Sequence, residues 1–322
     1  MFNFFVTFFT RVLLNLISFL KIKNRNISDK LFFILGLNQI YNSQKNYDTI
    51  KLLYQSEVKI FSQNGEDGII NYIINRLGIL IPNFIEIGVG DYRESNTRFI
   101  YCRYHPKGLI IDSENDLKKK VLMHLREKSS FFTLWKGELT ILNTHVESEN
   151  INLILAENCK FEVDIFSLDI DSIDYWVLSQ LKPNLSKIFI IEYNSVFGPD
   201  LEITVPNLKN FSRKEYHYSC LCYGMSLKAL IKLMDTKNYY FIGSNSLKNN
   251  AFFVSKDYSK DVYFPNLEVK DLKFYTDSNL QESRDRNGVL NYLKGKDKLI
   301  EIQDCKVINL KNNTLCSIRD LL

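Results

Sequence analysis

The stretch FIEIGVGDYRESNT, residues 84–97, decides the fold. A short apolar run carries an acid, two glycines follow two positions apart, and Ser-Asn-Thr opens the next apolar segment. Such a pattern predicts a strand, a sharp turn and a helix, because glycine is needed where a backbone reverses tightly or must come close to a ligand. Alone, the stretch fits both a turn that cradles a nucleotide-like cofactor and a plain strand-to-helix connection.

Outward from this turn the chain alternates strands and helices. GEDG (65–68) precedes Ile69, Ile70, Ile73, Ile74 and Leu77 and ends at Gly78, which reads as a helix with acids at its start and glycine at its end. GLIID (108–112), SFFTLW (130–135), VDIFSLDID (163–171) and KIFIIEYN (187–194) read as the second to fifth strands. Helices are expected over 117–128, 151–157, 175–181 and 226–235. YYFIGSNSLKNNAFFVS holds two aromatic-rich runs around a polar turn, the signature of a hairpin. The expectation is an α/β fold: an open, mostly parallel sheet with helices on both faces and an antiparallel hairpin strand at one edge.

The division expected along the chain is an amphipathic helix over 1–22, a lead-in over 23–60 with one helix near 47–55, a main domain over 61–255 and an appendage over 256–322. At 322 residues, 45% hydrophobic and 24% charged, the chain can bury a full core. A net charge of +4 without a Lys/Arg block gives no footprint for nucleic acid. Cys102, Cys159, Cys220, Cys222, Cys305 and Cys316 show no metal-ligand spacing, so free thiols in a reducing cytoplasm are expected. Between residues 2 and 21, Asn3, Thr7, Thr10, Arg11, Asn15, Ser18 and Lys21 fall within an arc of about 140° on a helical wheel. That stripe fits a helix lying in a membrane interface, with Lys21, Lys23 and Arg25 toward an anionic cytoplasmic leaflet. Docking on a partner or on its own domain, and a signal-anchor, are the other two readings.

In an open parallel sheet, ligands bind beyond the carboxyl ends of the strands, near the point where strand order reverses. Glu86, Gly88 and Gly90, then Asp112, then Asp169 and Asp171, and finally Glu192 stand at those ends. Crowded carboxylates repel one another, so they call for ligand hydroxyls, amines, a metal or basic partners. Asp112 is placed to accept the two hydroxyls of a ribose, or to cap the helix after it. Ser95, Asn96 or Thr97 caps the helix after the glycine turn, whose free N–H groups could also meet a cofactor carboxylate. Asp169 and Asp171 share one strand face and, with Glu192, could hold a divalent cation. Asp169 and Glu192 are candidate bases, and His217 with Tyr216, in the long connection over 195–225, are candidates for base or substrate contact. Asp174 is expected as a helix cap and Trp176 as a core residue.

FIEIGVGDYRESNT is similar to motif I of class I S-adenosylmethionine-dependent methyltransferases. Together with FSQNGEDGII, IFSLDIDSIDYWVL, IIEYNSVFGP and NNAFFV it resembles the FkbM-type methyltransferases over residues 60–255, and ESRDRNGVLNYLKGKDKL resembles a tail of some relatives. The resemblance implies a Rossmann-like, seven-stranded sheet with a reversed last strand, S-adenosylmethionine as cofactor, and O-methylation of a sugar, glycan or small metabolite. It implies that Glu86, Gly88 and Gly90 cradle the methionine part, that Asp112 holds the ribose, and that Asp169, Asp171 and Glu192 border the acceptor. Tyr92 stands where the fuller motif has a third glycine, and Ser172 where glycine often follows the second acid. Two rival readings remain: a glycosyltransferase using Asp169-Ile170-Asp171 as a metal-holding DxD, and a membrane-recruited scaffold with a vestigial cofactor fold.

Overall fold

The computed structural model describes residues 31, 33–126, 138–258, 264 and 282–322. The N-terminal segment and the strand expected over 130–135 lie outside them. A helix over 33–44 (α1) occupies part of the expected lead-in. It is buried through Phe33 and Ile40, and Phe33 stacks on Phe61 with ring centroids 6.1 Å apart. The helix expected near 47–55 is instead two 3₁₀ turns, Tyr47–Thr49 and Leu53–Ser56.

The helix α2 (Glu66–Arg76) leads into β1 (Phe84–Ile87), α3 (Arg98–Tyr104), β2 (Gly108–Asp112), α4 (Leu117–Arg126) and β3 (Leu139–Asn143). Next come α5 (Ile151–Asn158), β4 (Val163–Leu168), α6 (Asp174–Gln180) and β5 (Ser186–Glu192). After a long connection holding β6 (Ile203–Thr204) and α7 (Arg213–Tyr216) come α8 (Leu227–Thr236), β7 (Tyr239–Ser244) and β8 (Asn250–Ser255). The chain closes with α9 (Lys296–Glu301), β9 (Lys306–Asn309) and β10 (Thr314–Ser317).

Seven strands form the main sheet in the order β3-β2-β1-β4-β5-β8-β7. β1 to β5 are parallel, and β8 runs antiparallel to both its neighbours. The reversed strand thus sits inside the sheet and β7 forms the edge, whereas a hairpin read from sequence alone places the reversed strand outermost. β3 lacks a continuous apolar run because it is the opposite edge, only half-buried, with Thr140 and Asn143 exposed. That composition hid it.

Side chains alternate between two cores, as the strand pleat requires. Phe84, Ile110, Ile165, Ile188, Ile190 and Phe252 pack with α1 to α4. Ile85, Ile87, Phe166, Phe189, Ile191 and Phe253 pack with α5, α6 and α8. Ile302, Cys305, Val307 and Ile318, from the C-terminal segment, join the second core. A smaller antiparallel sheet, β10-β9-β6, fastens that segment to the long connection after β5.

The FSQNGEDG segment is held by its acids. One oxygen of buried Asp67 accepts the N–H groups of Ile60, Phe61 and Ser62 at 2.7–2.8 Å and the Ser62 hydroxyl at 2.9 Å. Glu66 accepts from Asn245 and Asn250, tying the start of α2 to the β7–β8 hairpin. Asp67→Ala leaves three N–H donors without their acceptor and should cost about 3 kcal/mol in urea unfolding. Burial pushes the Asp67 carboxyl up to about 6. The native chain therefore holds this proton above the unfolded value of about 3.9, and the Asp67 contribution to stability falls as pH rises from about 4 to about 6. Asp67→Asn should remove that part of the fall, measured by urea unfolding across the same window.

Candidate functional site

The strand order reverses between β1, whose neighbours are β2 and β4, and there the carboxyl ends open into a cavity of about 640 Å³. That volume suits a cofactor-sized ligand. Its floor is Ile87 to Gly90, Asp112 and Asp169 to Ser172; Thr144 to Val146 form one side and Phe211 to Lys214 the other.

Gly88 is required by contact. Its φ is +86°, and a Cβ there would lie 1.5 Å from the Asp169 carbonyl oxygen. The turn crosses directly over the end of β4, bonded through Gly88 N–H to Ile111 and by Asp169 N–H to Ile87, both at 3.0 Å. Gly90 differs: φ is +53° and nothing lies within 4 Å of where its Cβ would be, so that space belongs to the cavity. Tyr92 also has a positive φ, 63°, but its side chain is fully buried, with its hydroxyl 3.3 Å from Thr97 Oγ1. It turns into the core and leaves the cavity open.

Glu86 and Ser95 are not among the residues lining the cavity. Both are buried, and Glu86 accepts from the Ser95 hydroxyl at 2.6 Å, from the N–H groups of Asn96 and Thr97, and from the Thr97 hydroxyl. The carboxylate so caps α3 from beneath, although burial raises its pKa above the usual range. Asp112 does face the cavity. One oxygen accepts the Gly90 N–H at 2.7 Å and the other the Glu114 N–H at 2.8 Å, which fixes the carboxylate against the turn.

At the next strand ends, ligand oxygens of Asp169, Asp171 and Glu192 lie within 4.8 Å of one another. Burial and mutual repulsion raise Asp169 and Glu192 well above the carboxylate range, and burial raises Asp171. Arg213, from α7, donates to Asp171 at 2.6 Å and lies 5.1 Å from the Tyr223 ring centroid. Asp174 loops back to accept the N–H groups of Ile170 and Ser172 at 3.0 Å, bracing the β4–α6 turn rather than facing a ligand. Ser172 lines the cavity with its backbone neighbours, and Trp176 donates to the Val205 carbonyl at 2.7 Å.

His217 and Tyr216 stand elsewhere. His217 Nδ1 pairs with the Ser219 hydroxyl at 2.7 Å, its ring lies against Tyr218, and burial lowers its pKa. Tyr216 donates to the carbonyl of Lys306 in β9. Neither lines the cavity. The basic residues in RKEYHYS that do line it are Arg213 and Lys214, which sequence reasoning passed over. Their signal was present: adjacent cations in a loop bound for an acidic strand edge. Thr144 to Val146 were missed because β3 was.

No family model and no curated protein matches this chain. Among solved structures, it is similar to the apo form of the mycolic acid cyclopropane synthase CmaA1, at a TM-score of 0.33 and 10% identity over 61% of this chain and 77% of that one. A likeness of that size carries no argument about chemistry; the fold rests on the strand order above.

The two glycines give a direct check on the geometry. Gly88→Ala should destabilise by about 3 kcal/mol or more, since the Asp169 carbonyl must move. Gly90→Ala should cost only about 1–2 kcal/mol for its backbone conformation. Urea unfolding of both variants measures the difference, and equal losses would contradict the assigned crossing.

Proposed function

We propose that this protein is an S-adenosylmethionine-dependent methyltransferase of the FkbM type, acting on a hydroxyl of a sugar, glycan or small metabolite. The observation that carries the reading is the pairing of Asp112 with Gly90 at the reversal point. A carboxylate, held at the cavity wall by two backbone N–H groups, keeps lone pairs for a ribose, beside a glycine whose missing side chain leaves room for the ligand. The donor set fits the cofactor in this respect, and Tyr92 does not obstruct it.

When bound, the cofactor supplies a methyl group already activated by its sulfonium. The remaining work is to align the acceptor and take its proton. Asp169 and Glu192, at the ends of β4 and β5, are the bases in this reading; Asp169 lines the cavity, and Glu192 comes within 4.8 Å of it. Arg213 holds Asp171 and so closes the acceptor side of the cavity. His217 is left out of it, because it neither lines the cavity nor joins the cluster of Asp169, Asp171 and Glu192.

Calorimetry with S-adenosylhomocysteine and with UDP-sugars plus Mn²⁺ tests the assignment. S-adenosylhomocysteine should bind, and Asp112→Ala should weaken it by about 1–3 kcal/mol through lost charge-assisted hydrogen bonds. Binding of UDP-sugars alone would move the protein to the glycosyltransferases, and no binding at all would favour a scaffold.

The same reading places the protein at the cytoplasmic face of a membrane, with residues 2–21 in the interface. No helix among the described residues is long and apolar enough to cross a membrane. Ile34, Leu35 and Tyr41 of α1, and Leu31 ahead of it, are nonetheless each more than half exposed, alongside exposed Asn38, Gln39 and Asn42. Deleting residues 1–22 should release the protein from anionic liposomes, and undiminished sedimentation with them would rule out the anchor.

A further inference from the structure

We propose that Asp169, Asp171 and Glu192 hold one hard divalent cation, with Asn250 accepting a hydrogen bond from a water in its coordination shell. The inference goes beyond methyl transfer and does not depend on it; with the cation bound, Asp169 and Glu192 would be its ligands and not free bases.

The first observation is charge. Three carboxylates converge at the ends of β4 and β5, where Arg213 is bonded to Asp171 and Lys214 also acts on that carboxylate. Among the described residues neither Asp169 nor Glu192 forms an ion pair, and Asp174 is buried in the same turn. Burying uncompensated charge costs several kcal/mol per ion, so the site needs either protons or a divalent ion. Oxygens around one Mg²⁺, Mn²⁺ or Ca²⁺ sit about 2.1–2.5 Å from the metal, hence at most about 4–5 Å apart. The 4.8 Å spread of the three ligand oxygens matches that span.

The second observation is independent of the carboxylates. Asn250 is 5% exposed, and its Nδ2 donates to Glu66 at 3.0 Å, while its Oδ1 has no partner. The Glu66 bond fixes which end of the amide is oxygen, because a carboxylate accepts and cannot donate. In the β5–β8 register Asn250 stands directly opposite Glu192, so the two side chains share a face of the sheet. The Tyr193 N–H bonds the Asn249 carbonyl, which makes Glu192 and Asn250 the closer, non-hydrogen-bonded type of pair. A buried amide oxygen on the same sheet face as Glu192 is therefore left without a donor. A hard cation that keeps several waters supplies one within reach. Carboxylates and an amide oxygen, with no thiol or imidazole, select Mg²⁺, Mn²⁺ or Ca²⁺ over zinc.

Mn²⁺ titration of the full chain, followed by the paramagnetic resonance signal of free Mn²⁺, should find one bound equivalent displaced by Mg²⁺ or Ca²⁺. Asp169→Asn and Glu192→Gln should weaken binding about 100-fold or more, and Asn250→Ala about tenfold through the lost outer contact. Should the buried variants fail to fold, Asp171→Asn, whose carboxylate is 40% exposed, carries the same test. No binding, or binding indifferent to these substitutions, overturns the cation; unchanged affinity in Asn250→Ala removes Asn250 from it. S-adenosylhomocysteine titrated in parallel with chelator present separates the two readings. Its binding without Mn²⁺ binding removes the cation alone, and Mn²⁺ binding without it supports the cation while counting against methyl transfer.

Discussion

The contact of Gly88 with the Asp169 carbonyl is the constraint on which the rest of the site depends. Because no side chain stands at position 88, the turn after β1 can cross the end of β4 at backbone distance. That crossing brings Gly90, Asp112, Asp169 and Asp171 together in the floor of one cavity. A bulkier residue would part the two strands at the point where strand order reverses, and the cavity would lose its shared floor. The turn and the acids thus form one rigid unit.

Around this unit the protein uses its carboxylates in two ways. Glu86, Asp67 and Asp174 are spent on backbone N–H groups: they fix the start of α3, the FSQNGEDG loop and the β4–α6 turn. Asp112 is half spent, with an N–H on each oxygen and a face still open to the cavity. Asp169 and Glu192 have repulsion and desolvation as their main influences, and such groups are costly to fold around. A protein retains them where a bound partner offsets the cost.

Much of this was legible in the sequence. Continuous apolar runs revealed β1, β2, β4 and β5, and two aromatic-rich runs around a polar turn revealed β7 and β8. Edge strand β3 was not legible, since a strand half open to solvent needs no apolar run, and with it went the cavity wall at 144–146. The place of β8 between β5 and β7 was not legible either, because a local pattern gives pairing partners within the hairpin and not the third strand. For the site, the strand-end acids were found by position alone. What sequence does not reveal is direction: Glu86 and Ser95 point to each other, Tyr92 points into the core, and His217 points toward Ser219. Directions come from packing partners far away in the chain.

The small sheet β10-β9-β6 joins the cavity's outer wall to the order of synthesis. Ile203 and Thr204 pair with Asn309 and Ile308, which leave the ribosome roughly a hundred residues later. Contacts of such long sequence separation form late, after the parallel strands have somewhere to pack. The connection that carries Arg213 therefore gains its strand partner only when β9 arrives. Until then the acidic end of the sheet lacks its fastened wall.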